Sequence, residues 1–253
     1  MGRPELIENI FEDIALLKMV GARIIVVHGG GKQISSQLSK EGIKPEFIGG
    51  YRVTTKESID IVEMVLSGLV NKHLVQKLKN HKQNAVGLSG KDANLLTAVK
   101  KTIPEGDIGY VGEVVSVDDT VLRLMLDADY IPVISPISAD KAGNTLNINA
   151  DDAALAIAEK LSCDTLVFLT DVDGLLLDVT NEKTLVHYLN KEKATALIEN
   201  EMIGGGMLPK LKSCIKSIEN GVHEVSIING TVKYNLVSSF ITPAKVGTTI
   251  GLE

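Results

Sequence analysis

"ARIIVVHGGGKQIS" (Ala22–Ser35) passes from a β-branched apolar run through three consecutive glycines into a segment with helical periodicity, and that order decides the fold class. A strand, a side-chain-free turn and a helix form the repeating unit of a parallel sheet. Upstream, Leu6, Ile10, Ile14 and Leu17 recur at helical spacing until Gly21 stops the helix, which then feeds a strand predicted to be buried. Downstream the rhythm repeats. A helix is predicted from Lys32 to about Lys40, a long apolar-periodic segment from Ser58 to Lys79, and strands at "NAVGLS" (Asn84–Ser89), "YIPVIS" (Tyr130–Ser135) and "TLVFLT" (Thr165–Thr170). "DDAALAIAEKL" (Asp151–Leu161) is the helix between the last two, and "LPKLKSCIKSIENGV" (Leu208–Val222) is a helix stopped by Gly221 before the strand "HEVSIING" (His223–Gly230). Lys100 to Ser116, with Gly106, Gly109 and Gly112, reads as an inserted hairpin. The alternation predicts an α/β fold with a mainly parallel sheet covered on both faces.

Composition narrows the function. A net charge of −6 over 253 residues argues against a nucleic-acid surface, which needs clustered Lys and Arg. No apolar run is long enough to span a bilayer, and the N-terminal residues lack a signal-peptide core, so a cytoplasmic protein acting on small molecules is expected. Cys163 and Cys214 fit no metal spacing and are read as small buried hydrophobes in a reducing compartment, with no role.

Glycines at a strand-to-helix turn let an anion approach backbone N–H groups at the positive end of a helix. The dinucleotide fingerprint fails because Ile34 stands where its third glycine is required, and a Walker loop fails because Asp92 follows Lys91. A lipase-type oxyanion loop fails too, since "GLSGK" around Ser89 lacks the final glycine of the nucleophile elbow. What remains is an anion loop of another kind, or a tight structural turn. "GGYRVT" (Gly49–Thr54) sets Arg52 where a guanidinium could fork onto a carboxylate, although the residue alone reads more readily as a surface arginine. "LNINADDAALAIA" places Asn147, Asn149 and Asp151 at a strand-to-helix junction, with Asp151 readable simply as a helix N-cap. "LTDVDGLL" ends a strand with Asp171, Asp173 and Gly174, at the edge where open α/β sheets bind ligands, and "IGGGMLPK" adds a second glycine run before Lys210.

Taken together and in order, "VVHGGGKQI", "GYRVT", "VGLSGKD", "GYVGEV", "IPVISPI", "LNINADDAA", "LTDVDGLL" and "GGGMLPK" resemble the N-acetylglutamate kinases of the amino acid kinase family, from about Met1 to Thr248. The resemblance implies a single domain, a three-layer α/β/α sandwich around a mainly parallel sheet. A lobe of about residues 1–159 would bind the amino acid and dimerise, and a lobe of about 160–253 would bind the nucleotide. It implies ATP with Mg²⁺, a homodimer and no protein metal site. Gly30 and Gly31 would bind the reacting carboxylate and the transferring phosphoryl group, Arg52 the α-carboxylate, and Asn147 the acetamido end. Lys210 would stabilise the transferring group and Asp151 would organise the lysines around it. Asp171, Val172, Asp173, Gly174, Leu175 and Leu176, with Met202, Ile203 and Gly204, would line the nucleotide site. A γ-carboxylate is already an anion, so the reaction needs positioning and positive charge rather than a general base, and His28 is read as structural. Two other activities fit the motifs: a kinase for an aminoadipate derivative, and a non-catalytic ligand-binding relative.

The family pattern also includes a preceding strand ending in Lys-x-Gly-Gly, which these residues do not contain. The expectation is a misplaced start, with little kinase activity in the chain as given. Arginine-inhibited relatives carry a histidine and acidic residues where Tyr234, Ser239 and Ala244 stand here, so arginine feedback is not expected.

Overall fold

The structure, a computed structural model, describes residues 4–178, 180–200, 202–203, 207–242 and 246–252. The chain divides into two compact units, Gly21–Ile157 and Gly2–Val20 with Ala158–Glu253. Helix α1 (Pro4–Met19) therefore opens the chain but folds with the second unit.

In the first unit, β1 (Val26–Val27) leads through the glycines into α2 (Gly31–Lys40), and the hairpin β2 (Phe47–Ile48) and β3 (Tyr51–Arg52) follows. The predicted long helix is present with an interruption: α3 (Lys56–Glu63) passes into a π-helical segment, Met64–Val70, and then into α4 (Asn71–Asn80). Thr55 caps it by accepting from Ser58 N at 3.3 Å. β4 (Ala85–Ser89), the hairpin β5 (Leu96–Lys100) and β6 (Val111–Val117), α5 (Thr120–Asp127), β7 (Ile131–Ser135), β8 (Ile137–Ala139), β9 (Thr145–Ile148) and α6 (Ala150–Leu161) complete the series. β1, β7 and β4 form a parallel sheet in that order, and β5, β6, β9 and β8 close a small barrel.

The strand predicted from the whole "ARIIVV" run is only two residues long and half-buried, whereas β7 is buried throughout. Pro132 supplies a reason. Ile131 N–H donates to Asn84 O on the β4 side and Ile134 O accepts from His28 N on the β1 side. Alternation thus turns the Pro132 nitrogen toward β1, where it has no hydrogen to give, and pairing starts only at Val26 opposite Val133. The same geometry explains how a proline sits in a central strand.

In the second unit, β10 (Thr165–Thr170) pairs in parallel with the later strand β14 (Glu224–Asn229), the ladder the alternating pattern predicts. The hairpin β11 (Leu175–Leu176) and β12 (Leu185–Val186) precedes β13 (Tyr188–Asn190), α7 (Lys191–Glu199) and α8 (Met207–Glu219). β14 (Glu224–Asn229), α9 (Asn235–Ile241) and β15 (Thr248–Gly251) end the chain, giving a sheet ordered β10, β14, β15, β13. The β14–β15 pair is antiparallel, so this sheet is mixed. Helix α1 buries Phe11, Ile14 and Leu17 and packs on α9. Its Asp13 Oδ2 accepts from Leu236 N at 3.1 Å and Val237 N at 3.3 Å, capping α9 from another helix. Burial raises the Asp13 pKa, against those two backbone bonds, which lower it.

Candidate active site

The three glycines are not equivalent. A Cβ on Gly30 would lie 2.7 Å from Leu66 Cδ2 and 3.3 Å from Val70 Cγ2, so this position is closed by packing on the π-helical segment. Gly29 and Gly31 have ordinary room, 3.7 Å from Ala150 Cβ and 3.9 Å from Arg52 Nη2. Helix α2 starts at this loop with no side-chain cap and no acidic residue in its first turn, which leaves its leading N–H groups without intrahelical acceptors.

Arg52 stands beside that helix end. Its Nη2 donates to Gly31 O at 2.9 Å and to Ser35 Oγ at 2.8 Å, and the guanidinium stacks 4.7 Å over the Phe47 ring. Arg52 is 9% exposed, and its Nη1 is buried without a hydrogen-bond partner. Desolvation lowers its pKa, yet the guanidinium remains charged at neutrality. None of these contacts is a carboxylate. A buried, half-satisfied cation beside uncapped amides calls for an anion.

His28 and Asn71 hold the loop from behind. Asn71, wholly buried, directs its Nδ2 at Val133 O (2.8 Å), Leu88 O (3.3 Å) and His28 Nε2 (3.1 Å). Carbonyls only accept, so the amide NH₂ faces them and His28 Nε2 must accept as well. The proton then sits on Nδ1, which donates to Gly29 O at 3.0 Å. Burial lowers the His28 pKa and keeps the ring neutral. Gly87 makes space for this: a Cβ there would fall 1.8 Å from Asn71 Oδ1. Replacing Asn71 by Leu leaves Val133 O and His28 Nε2 without their donor, and is expected to cost about 1–3 kcal/mol of stability in denaturant titration. A loss below ~0.5 kcal/mol would mean that the network does not support the loop.

At the opposite wall, Asn147 Nδ2 donates to Thr54 Oγ1 at 3.1 Å, and Thr54 Oγ1 donates to Arg52 O at 3.2 Å, linking Asn147 to the Arg52 main chain. The N-cap of α6 is Asn149, whose Oδ1 accepts from Asp151 N at 2.7 Å and Asp152 N at 3.3 Å. Asp151 is therefore not the cap its position allowed; it lies in the first turn. Asp152 pairs with Lys101 Nζ at 3.4 Å, and that ammonium lies 4.8 Å over the Tyr51 ring. Lys91 is committed to Glu63, at 2.8 and 2.9 Å. Gly29, Gly30, Gly31, Arg52, Asn147 and the start of α6 thus come together in the first unit.

In the second unit, the turn Asp171–Gly174 leaves the C-terminal end of β10. Asp173 Oδ1 accepts from Asn229 Nδ2 at 2.7 Å, and Leu175 N donates to Thr248 Oγ1 at 2.8 Å. Lys210, in the first turns of α8, holds its ammonium 4.8 Å over the Phe168 ring of β10. Ile203 is buried and Met202 exposed; Gly204 and Ala244 lie outside the described residues. An apolar cavity of about 370 Å³ is lined by Leu177, Val186, Leu197 and Met202 among others. Cys214 is buried and Cys163 half-buried, neither in a disulfide, and burial pushes the Cys163 thiol up to about 11, which leaves it unreactive. No described helix is long and apolar enough to cross a membrane.

Sequence reasoning missed Phe168, Asn71 and Thr248, because each reads as an ordinary core or strand residue. A weak signal existed for Thr248 in the Gly247-Thr248 pair. The amino acid kinase family model matches residues 1–229. The chain is 45% identical over 244 residues to the acetylglutamate kinase of Caldanaerobacter subterraneus subsp. tengcongensis, covering 96% of this chain and 81% of that protein. It is 45% identical over 251 residues to the acetylglutamate kinase of Campylobacter jejuni subsp. jejuni serotype O:2, covering 99% and 88%. Among solved structures, smu.665 from Streptococcus mutans UA159 aligns with a TM-score of 0.78 at 28% identity, covering 96% of this chain and 91% of that one.

Proposed function

The chain belongs to the amino acid kinase family, and from that premise we propose that it transfers the γ-phosphoryl group of ATP to the side-chain carboxylate of N-acetyl-L-glutamate, in arginine biosynthesis. The observation that carries the assignment is the Arg52 guanidinium, buried with an unpartnered Nη1 beside the uncapped start of α2. It fits the α-carboxylate of an amino acid whose own amine is blocked and brings no competing cation. Gly30 and Gly31 offer main-chain N–H groups to the reacting carboxylate and the transferring group, and Asn147 faces the acetamido end. Asp151, relieved of capping by Asn149, orients the surrounding lysines.

The nucleotide falls to the second unit. The Asp171–Leu176 turn and strand, with Met202, Ile203 and Gly204, would line its site, and the neighbouring apolar cavity is within the size range of small-ligand pockets. The Mg²⁺ of this reading would be carried by the nucleotide phosphates, whose charge it neutralises. Lys210 meets the charge that develops on the transferring group. The attacking carboxylate needs no base, in keeping with a neutral His28 engaged at both ring nitrogens.

The relatives are acetylglutamate kinases, which favours neither the aminoadipate activity nor a non-catalytic role. A homodimer and a cytoplasmic location belong to the same proposal. The exposed Met64 and Leu69 on the π-helical segment are apolar surface a second copy would cover, and Cys163 and Cys214, neither in a disulfide, suit a reducing compartment.

Calorimetry with N-acetylglutamate, glutamate and N-acetyl-aminoadipate, joined to an ADP-release assay, tests the assignment. N-acetylglutamate should bind most tightly, with the homologue one methylene longer weaker by about 10- to 200-fold. Equal affinity for all three, or binding of none, would overturn it.

A further inference from the structure

Thr248 lies far along the chain from every glycine loop, yet its hydroxyl is built into one of them. It is wholly buried; its Oγ1 accepts from Leu175 N at 2.8 Å and donates to Val186 O at 2.5 Å. One hydroxyl thereby joins the end of the Asp171–Gly174 turn to the hairpin strand β12. Gly174 adopts φ +143 against it, and a Cβ there would meet Thr248 Oγ1 at 2.6 Å, Leu185 Cδ1 at 2.9 Å and Thr248 N at 3.0 Å. The adjoining Gly247, at φ +72, lies so close to β14 that a Cβ would fall 2.2 Å from Ile227 O. His187 Nδ1 donates to Gly247 O at 3.2 Å, fixing the approach from the other side.

The start of the turn is held separately. Thr170 Oγ1 donates to Val172 O at 2.8 Å, and Asn229 Nδ2 holds Asp173 Oδ1 at 2.7 Å. The turn is therefore pinned at both ends, and every pin belongs to the scaffold rather than to the turn's outer face. Such a loop has lost its conformational freedom before a ligand arrives, which is the arrangement that lowers the cost of binding.

We infer that Thr248 is a positioning residue for nucleotide binding: its hydroxyl sets the turn that receives the nucleotide without touching the nucleotide itself. The inference rests on the assignment of Asp171–Leu176 to the nucleotide. It also separates Thr248 from the acceptor site, because both hydrogen bonds of its hydroxyl are to the second unit.

The test compares Thr248→Val, which keeps the shape and removes the hydroxyl, with Thr248→Ser, which keeps the hydroxyl and removes a methyl. Binding of MgATP and of N-acetylglutamate is measured by calorimetry on both, with thermal melts alongside. Thr248→Val should weaken MgATP binding about tenfold or more, because a buried N–H and C=O lose their partner and the turn relaxes. N-acetylglutamate binding should stay within about twofold, as expected for an independent site. Thr248→Ser should restore most of the MgATP affinity even where its melting temperature is lower than the parent's. A folded Thr248→Val that binds MgATP like the parent overturns the inference, as does an equal loss for both ligands or a Ser variant no better than Val. If Thr248→Val does not fold, Asn229→Ala, which removes the other pin, must show the same selective loss or the inference falls. A parent protein that binds N-acetylglutamate but no MgATP would instead refute the nucleotide assignment.

Discussion

Replacing Arg52 by alanine is expected to weaken N-acetylglutamate binding by roughly two to three orders of magnitude, the range seen when one partner of a buried, hydrogen-bonded charge pair is removed. MgATP binding should change little. Arg52 donates two hydrogen bonds to neutral acceptors, its Nη1 is buried without one, and none of these contacts is a carboxylate. Such a cation is a cost to the unliganded fold, recovered only when an anion arrives. Thermal stability without ligand should therefore fall only slightly, through the lost packing on Phe47, or rise. Arg52→Lys should recover only part of the affinity, since a point charge cannot reproduce the planar fork. If Arg52→Ala melts far below the parent and binds both ligands equally poorly, Arg52 is a structural residue and the acceptor site has been misplaced.

The second large effect belongs to Lys210. Lys210→Ala should lower kcat by roughly 100- to 1,000-fold, the scale of losing one preorganised charge that acts on the transition state. KM for either substrate should change far less, because the charge Lys210 answers develops only during transfer. Its ammonium lies 4.8 Å over the Phe168 ring. Steady-state kinetics with both substrates saturating separates the possibilities. A loss confined to the KM for ATP would make Lys210 a binding residue and contradict the role given to it.

Much of this was legible in the residues themselves. The strand-turn-helix order around Gly29–Gly31 pointed to an α/β fold with parallel ladders, and the β1–β7–β4 and β10–β14 pairings are of that kind. The hairpin between Lys100 and Ser116 and the long helix from the fifties to about residue 80 were also readable from periodicity and glycine placement. Arg52 could be singled out as a clamp, but whether it was buried or on the surface could not. Asp151 could be a cap or a site residue, and only the hydrogen bonds of Asn149 separated the two.

Periodicity, turn chemistry and motif order act over a few residues, so the sequence by itself determined the element types, the fold class and the place of the Gly29–Gly31 loop between strand and helix. It did not determine which partners those elements would meet. That β1 is cut to two residues follows from a proline about a hundred positions later, and that α1 joins the second unit follows from Asp13 capping a helix near the other end of the chain. His28 and Asn71 are separated by 43 residues, and Leu175 and Thr248 by 73. No local pattern encodes such bonds. They form because folding buries polar groups away from water, and each buried donor or acceptor must then be satisfied by whatever the tertiary structure brings within about 3 Å of it.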